Sequence, residues 1–120
     1  MNISTSLSGM NAAQTRLDVA ANNIANLSTD NFTRKEVVQT DLPQGGTKVA
    51  DIKSAAQSGN NLEADMVEQL QARSTYMTNL SVFKKAVDIS AQNSLQLIQA
   101  ATQALPNNPP NLGNTIDTFA

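Results

Sequence analysis

Ile3-Ser4-Thr5-Ser6-Leu7-Ser8-Gly9-Met10-Asn11-Ala12-Ala13-Gln14-Thr15-Arg16-Leu17-Asp18-Val19-Ala20-Ala21-Asn22-Asn23-Ile24-Ala25-Asn26-Leu27 is the stretch that decides how this chain folds. Ile3, Met10, Leu17 and Ile24 recur in steps of seven, and Ala13, Ala20 and Leu27 each follow three residues after the last three of them. Apolar residues at these two heptad positions, held over more than three repeats, predict a helix with a coiled-coil-like seam, to which Leu7 adds. The second seam position is mostly alanine, so a partner backbone could come close. The opposite face is Ser, Thr, Asn and Gln, with only Arg16 and Asp18 charged. A lone solvated helix usually carries more charge; amide-rich faces suit contact with protein. Ser28-Thr29-Asp30-Asn31 should end the helix, because Asn tolerates the left-handed conformation that closes helices.

Beyond that turn, Arg34-Lys35-Glu36-Val37-Val38-Gln39-Thr40 is extended in character. Leu42-Pro43-Gln44-Gly45-Gly46 reads as a turn, and Thr47-Lys48-Val49-Ala50-Asp51-Ile52-Lys53 alternates polar and apolar. The pattern predicts a β-hairpin, which alone is marginal in water and must pack on something. Asn60, three residues before Glu63, resembles a capping box. From there no Gly or Pro interrupts the chain before Pro106. Leu62, Met66, Leu70, Met77, Leu80, Phe83 and Val87 step by three or four, with a gap at Arg73, and predict a helix of about 40 residues, roughly 60 Å long. A second apolar line, Val82, Ala86, Ile89 and Leu97, widens its face, as expected of a helix with more than one partner. The fold class is therefore mainly α: an N-terminal helix paired with a longer C-terminal one, a short hairpin between them and a flexible tail with Ile116 and Phe119 as anchors. The corresponding segments are 1–31, 32–58, 59–105 and 106–120.

Leu, Ile, Val and Phe together number 27 of 120 residues, and the aromatics are Phe32, Tyr76, Phe83 and Phe119 only. A core so short of large side chains is marginal, which points to burial completed by neighbouring molecules. The net charge of −2 is spread evenly, so no basic stripe is present to bind nucleic acid. Without cysteine or histidine the chain lacks the commonest nucleophile, general base and metal ligands. No catalytic, metal or cofactor residue is nominated. Asp65 and Glu68, one turn apart, read as a solvated acidic turn complementing the helix dipole rather than as a catalytic pair. Gly45-Gly46 lacks the strand-to-helix setting of a phosphate loop and reads as a hairpin turn. No apolar run approaches membrane-spanning length, and the N-terminus does not resemble a cleaved secretory signal.

The run Leu7-Ser8-Gly9-Met10-Asn11-Ala12-Ala13-Gln14 through Asn22-Asn23-Ile24-Ala25-Asn26 closely resembles the N-terminal signature of bacterial flagellar rod, hook and hook-associated proteins. Ser28-Thr29-Asp30-Asn31-Phe32-Thr33-Arg34 resembles the loop that follows it, with Asn31 where the family usually has Gly. Asn61-Leu62, Met66-Val67-Glu68, Ala72, Tyr76 and Asn79 resemble the family's C-terminal signature, with Ser74-Thr75-Tyr76 in place of its Arg-Ala-Tyr. The small proximal-rod members are nearest in size. The resemblance implies terminal helices that form a coiled coil in the flagellar axis, export through the flagellar type III machinery without a cleaved signal, and partners that are copies of itself and other axial proteins. It implies a location in the periplasmic rod of the basal body, and neither nucleic-acid binding nor direct membrane insertion.

The expected function is structural: an axial rod subunit polymerising through its terminal helices to form a torque-transmitting shaft. The alternative is a rod-signature adaptor, cap or regulator that docks on the axis, which the short centre and the added tail favour. An enzyme is disfavoured by the residue inventory. Whether the Ile3, Met10, Leu17, Ile24 stripe is a seam within one molecule or between molecules is left open by periodicity.

Overall fold

A computed structural model describes residues 2–55 and 61–104. The elements are α1 (Ile3–Ala25), β1 (Lys35–Asp41), β2 (Thr47–Ser54) and α2 (Leu62–Ala104), so the mainly helical fold with an intervening hairpin is as the sequence predicts. The expected tail, 106–120, and Asn60 lie outside the described residues.

Asn2 opens α1: its Oδ1 accepts the Ser4 N–H at 3.1 Å and the Ser4 hydroxyl at 2.7 Å. Asn26 closes it, its N–H and Nδ2 both donating to the Asn22 carbonyl, at 3.1 and 2.9 Å. The chain then turns at Asn31, whose φ of 59° is the left-handed conformation expected of the residue standing in the usual glycine position. At the start of α2, Asn61 Oδ1 accepts the Ala64 N–H at 3.0 Å.

β1 and β2 pair antiparallel, with Val38 opposite Asp51 and Gln39 opposite Val49. Ala50 is thus an extra residue in β2, a bulge that bends the strand. Gly45 and Gly46 both have positive φ, 86° and 102°, and close the turn through the Gly45 N–H to Leu42 and the Leu42 N–H to Gly46, each 2.9 Å.

The chain forms two compact units, 1–87 and 88–120. In the first, Arg16 of α1 pairs with Glu68 of α2, while Gly9 lies against Asn79. The numbers fall along one helix as they rise along the other, so the helices run antiparallel. The buried apolar side chains among the described residues are five alanines: Ala12, Ala13, Ala20, Ala72 and Ala86. Ala13 and Ala20, at the second seam position of α1, are among them. In the second unit, each described residue of α2 from 88 to 104 is exposed, including Ile89, Leu95, Leu97 and Ile98.

Candidate assembly surface

Small residues line the seam between α1 and the first half of α2, and polar side chains tie it together. Asp65 is the largest fully buried side chain, 1% exposed. Its Oδ1 accepts from Asn23 Nδ2 at 3.0 Å and from Arg34 Nε at 2.8 Å. Asn23, also buried, holds the start of β1 with both ends of its amide. Its Oδ1 accepts the Lys35 N–H and its Nδ2 donates to the Lys35 carbonyl, each at 2.9 Å. Arg34 Nη1 donates to Glu36 at 2.8 Å. One turn along, Arg16 grips Glu68 with two hydrogen bonds, from Nε to Oε1 and from Nη2 to Oε2, the latter 3.0 Å. An open cleft of about 290 Å3 runs over this polar node, between Arg16, Arg34, Asp65 and Glu68.

The reading of Asp65 and Glu68 as a solvated acidic turn is therefore corrected. Asp65 is buried and Glu68 half-buried, and each meets an arginine, the partner that offsets the cost of taking a carboxylate out of water. The hydrogen bonds to Glu68 and its charge hold Arg16 above the usual guanidinium value against the opposing effect of burial. At Arg34 burial acts most strongly and pulls downward; the bonds and charges of Asp65 and Glu36 together outweigh it, again raising the value. The signal available in the sequence was rarity: Arg16 is one of only two charges on an otherwise amide-rich helix.

Several residues of the signature meet in space. Ser8 donates to the Thr5 carbonyl at 2.8 Å and accepts the Thr47 N–H at 3.3 Å, pinning the hairpin tip to α1. A Cβ at Gly46 would collide with the Ser8 hydroxyl. A Cβ at Gly9 would lie 2.7 Å from Asn79 Oδ1, so the absence of a side chain at Gly9 makes room for Asn79. Ala12, Ala13 and Ala72 are buried in the seam, and Phe32 and Tyr76 are half-buried. Asn11, Gln14, Asn22 and Ala25 are exposed on α1, with Gln14 donating to Asp18 at 2.9 Å.

The large apolar residues nominated for the seam stand elsewhere. Met10, Leu17, Ile24, Leu27, Leu80 and Phe83 are half-buried, and Ile3, Leu7, Leu62, Met66, Leu70, Met77 and Val87 are exposed. The helical turn of 3.6 residues explains their placement. On α2 the inward face carries Asp65, Glu68, Ala72 and Asn79, and Thr75 and Asn79 line a hollow beside the hairpin residues Gln39 and Gly46. Leu62, Met66, Leu70 and Met77 lie about a third of a turn away, on the flank opposite the hairpin. On α1, Ser8, Thr15, Val19 and Asn23 meet the hairpin, whereas Met10, Leu17 and Ile24 fall on the other flank. The hairpin covers one side of the helix pair, and both apolar stripes emerge on the other.

Such a unit is a structural module: an antiparallel helix pair closed on one side by a hairpin and left apolar on the other. Residues 3–33 match the family model described as flagella basal body rod protein, and residues 69–119 match that described as putative motility protein. The rod match spans α1 and the turn through Asn31; the motility match begins inside α2. No curated protein sequence matches the chain. The two matches on one chain support a likeness to the flagellar rod family and a flagellar axial or motility role. That rod family is structural rather than enzymatic. No helix among the described residues is long and apolar enough to cross a membrane.

Proposed function

We propose that this protein is an axial subunit of the flagellar basal-body rod, one that polymerises by burying the apolar flank of its helix pair against neighbouring subunits. The observation that carries this reading is the flank itself, where Leu62, Met66, Leu70 and Met77 are between 40% and 66% exposed on one helix. Apolar side chains grouped so on one face normally mark an interface. The stretch of α2 from 88 to 104 supports it independently: it exposes four large apolar residues and carries a single charge, Asp88. Its partners are copies of itself and other rod and hook proteins, and it reaches the periplasmic rod through the flagellar type III export machinery. The seam residues nominated from sequence act as assembly contacts, in a coiled-coil-like arrangement between subunits.

The C-terminal match to a motility model, rather than to the rod model, favours a second reading: an adaptor, cap or regulator docked on the axis. Quantitative mass spectrometry of purified hook–basal bodies separates the two. Several copies per particle are expected of a rod subunit. Absence from clean particles, in cells that still make the chain, would establish the second reading. Leu17→Asp or Leu80→Asp places a charge among these assembly contacts and should abolish incorporation; motile cells with normal basal bodies carrying either variant would rule out polymerisation through these helices.

A further inference from the structure

We infer that the Arg34–Asp65 pair, with Asn23, is the register lock of the helix pair, and that it thereby aligns the two apolar stripes into one docking face. The inference rests on the assembly reading only for that last consequence. Three segments distant in sequence converge on one buried carboxylate: Asn23 of α1, Arg34 at the start of the hairpin and Asp65 of α2. No buried side-chain nitrogen or oxygen among the described residues lacks a partner.

Around this node the fully buried apolar side chains cannot set the register by themselves; the other contacts that depend on it are the Arg16–Glu68 pair and the fit of Asn79 against Gly9. The fully buried apolar side chains among the described residues are alanines, and an alanine seam is smooth: sliding α2 along α1 replaces one small side chain by another. The polar partners allow no such freedom. A slip of one heptad would put Ala72 where Asp65 stands, and a slip of one turn would put Gln69 there. Either would leave Arg34 without its carboxylate. A buried polar group that is satisfied in one arrangement alone selects that arrangement, even where its net contribution to stability is small. The stripes depend on the same choice. A slip would bring Met10, Leu17 and Ile24 level with different α2 side chains.

The test uses the full chain with Arg34→Met and Asp65→Leu together, which removes both charges and leaves Asn23 its two bonds to Lys35. The chain has no cysteine, so spin labels at introduced Asn11→Cys and Gln71→Cys, both exposed positions, are unique. Pulsed dipolar distances in the dilute chain should give one narrow peak with the pair intact. The double variant should remain helical but give additional peaks displaced by about 5 Å or about 10 Å, one turn or one heptad. A single unshifted peak in the double variant overturns the register lock. So does a variant that unfolds where the parent is folded, because the pair would then supply stability rather than register. Incorporation into basal bodies is read separately. A slipped variant that still incorporates normally refutes the link to the docking face, whereas failure of the parent to incorporate refutes the assembly reading and leaves the distances to decide the lock.

Discussion

Asp65 shows how much one side chain can carry in a chain with so little large apolar material. Its carboxylate neutralises Arg34 and orders Asn23, which in turn holds both backbone groups of Lys35. Removing one member of a buried charged pair strands the other, so Asp65→Ala should cost about 3 kcal/mol in a denaturant titration. Asp65→Asn, which keeps an acceptor oxygen, should cost distinctly less; equal losses would mean that the charge alone carries the contribution and a neutral acceptor adds nothing. The arginines set no pH limit near neutrality. Both lie above their ordinary value, so their contribution is fully present below the unfolded guanidinium value and fades only as pH rises through the still higher folded one. Gly9 gives a prediction in which the sign is the test. Its missing side chain makes room for Asn79, which is tethered by its own bond to the Thr75 carbonyl at 2.9 Å. Gly9→Ala should destabilise the parent by about 1 kcal/mol through crowding. In an Asn79→Ala background the same change should stabilise by about 0.5–1 kcal/mol, the usual helical gain. Stabilisation in both backgrounds would show that Asn79 does not need the space.

At the scale of the element, the hairpin has a definite address. Its tip is fastened by Ser8 to the start of α1, and its base by Asn23 near the end. The tip depends on Gly46, which combines a φ of 102° with a close approach to Ser8. Gly46→Ala should destabilise by about 1–3 kcal/mol and increase hydrogen exchange across β1 and β2 before it affects α1. Unchanged exchange in the strands would mean the tip is free of the helix. The elements themselves were legible in the sequence because each depends on local rules: heptad spacing for α1, uninterrupted helix formers for α2, a glycine pair for the turn, and an asparagine at the left-handed position after α1. The node was not legible in the same way. Nothing local in Asn23, Arg34 and Asp65 says that they meet, since their contact is created by the antiparallel return of α2. The periodicity of Met66, Leu70 and Met77 correctly marks an apolar stripe, but helical phase puts it a third of a turn from the alanines that α1 touches. A stripe of large residues and a stripe of small ones coexist on α2, and only the fold says which is turned inward.

For the whole molecule, this division of labour has a thermodynamic consequence. The interior is closed by alanines, each of which removes little apolar area from water, while Met66, Leu70 and Met77 keep theirs exposed. The isolated chain should therefore be weakly stable, and anything that covers the flank should stabilise it by mass action. A circular dichroism melt is expected to show a low, broad transition in dilute solution whose midpoint climbs as the protein is concentrated. Met66→Asp lies on the exposed flank, so it should leave the dilute transition in place and abolish the climb. The contrast separates a surface residue from a core one, since a core lesion would lower the transition at every concentration. A sharp, high midpoint that ignores concentration would mean that the alanine seam and its polar node suffice alone, and that the apolar flank is not where this protein completes its fold.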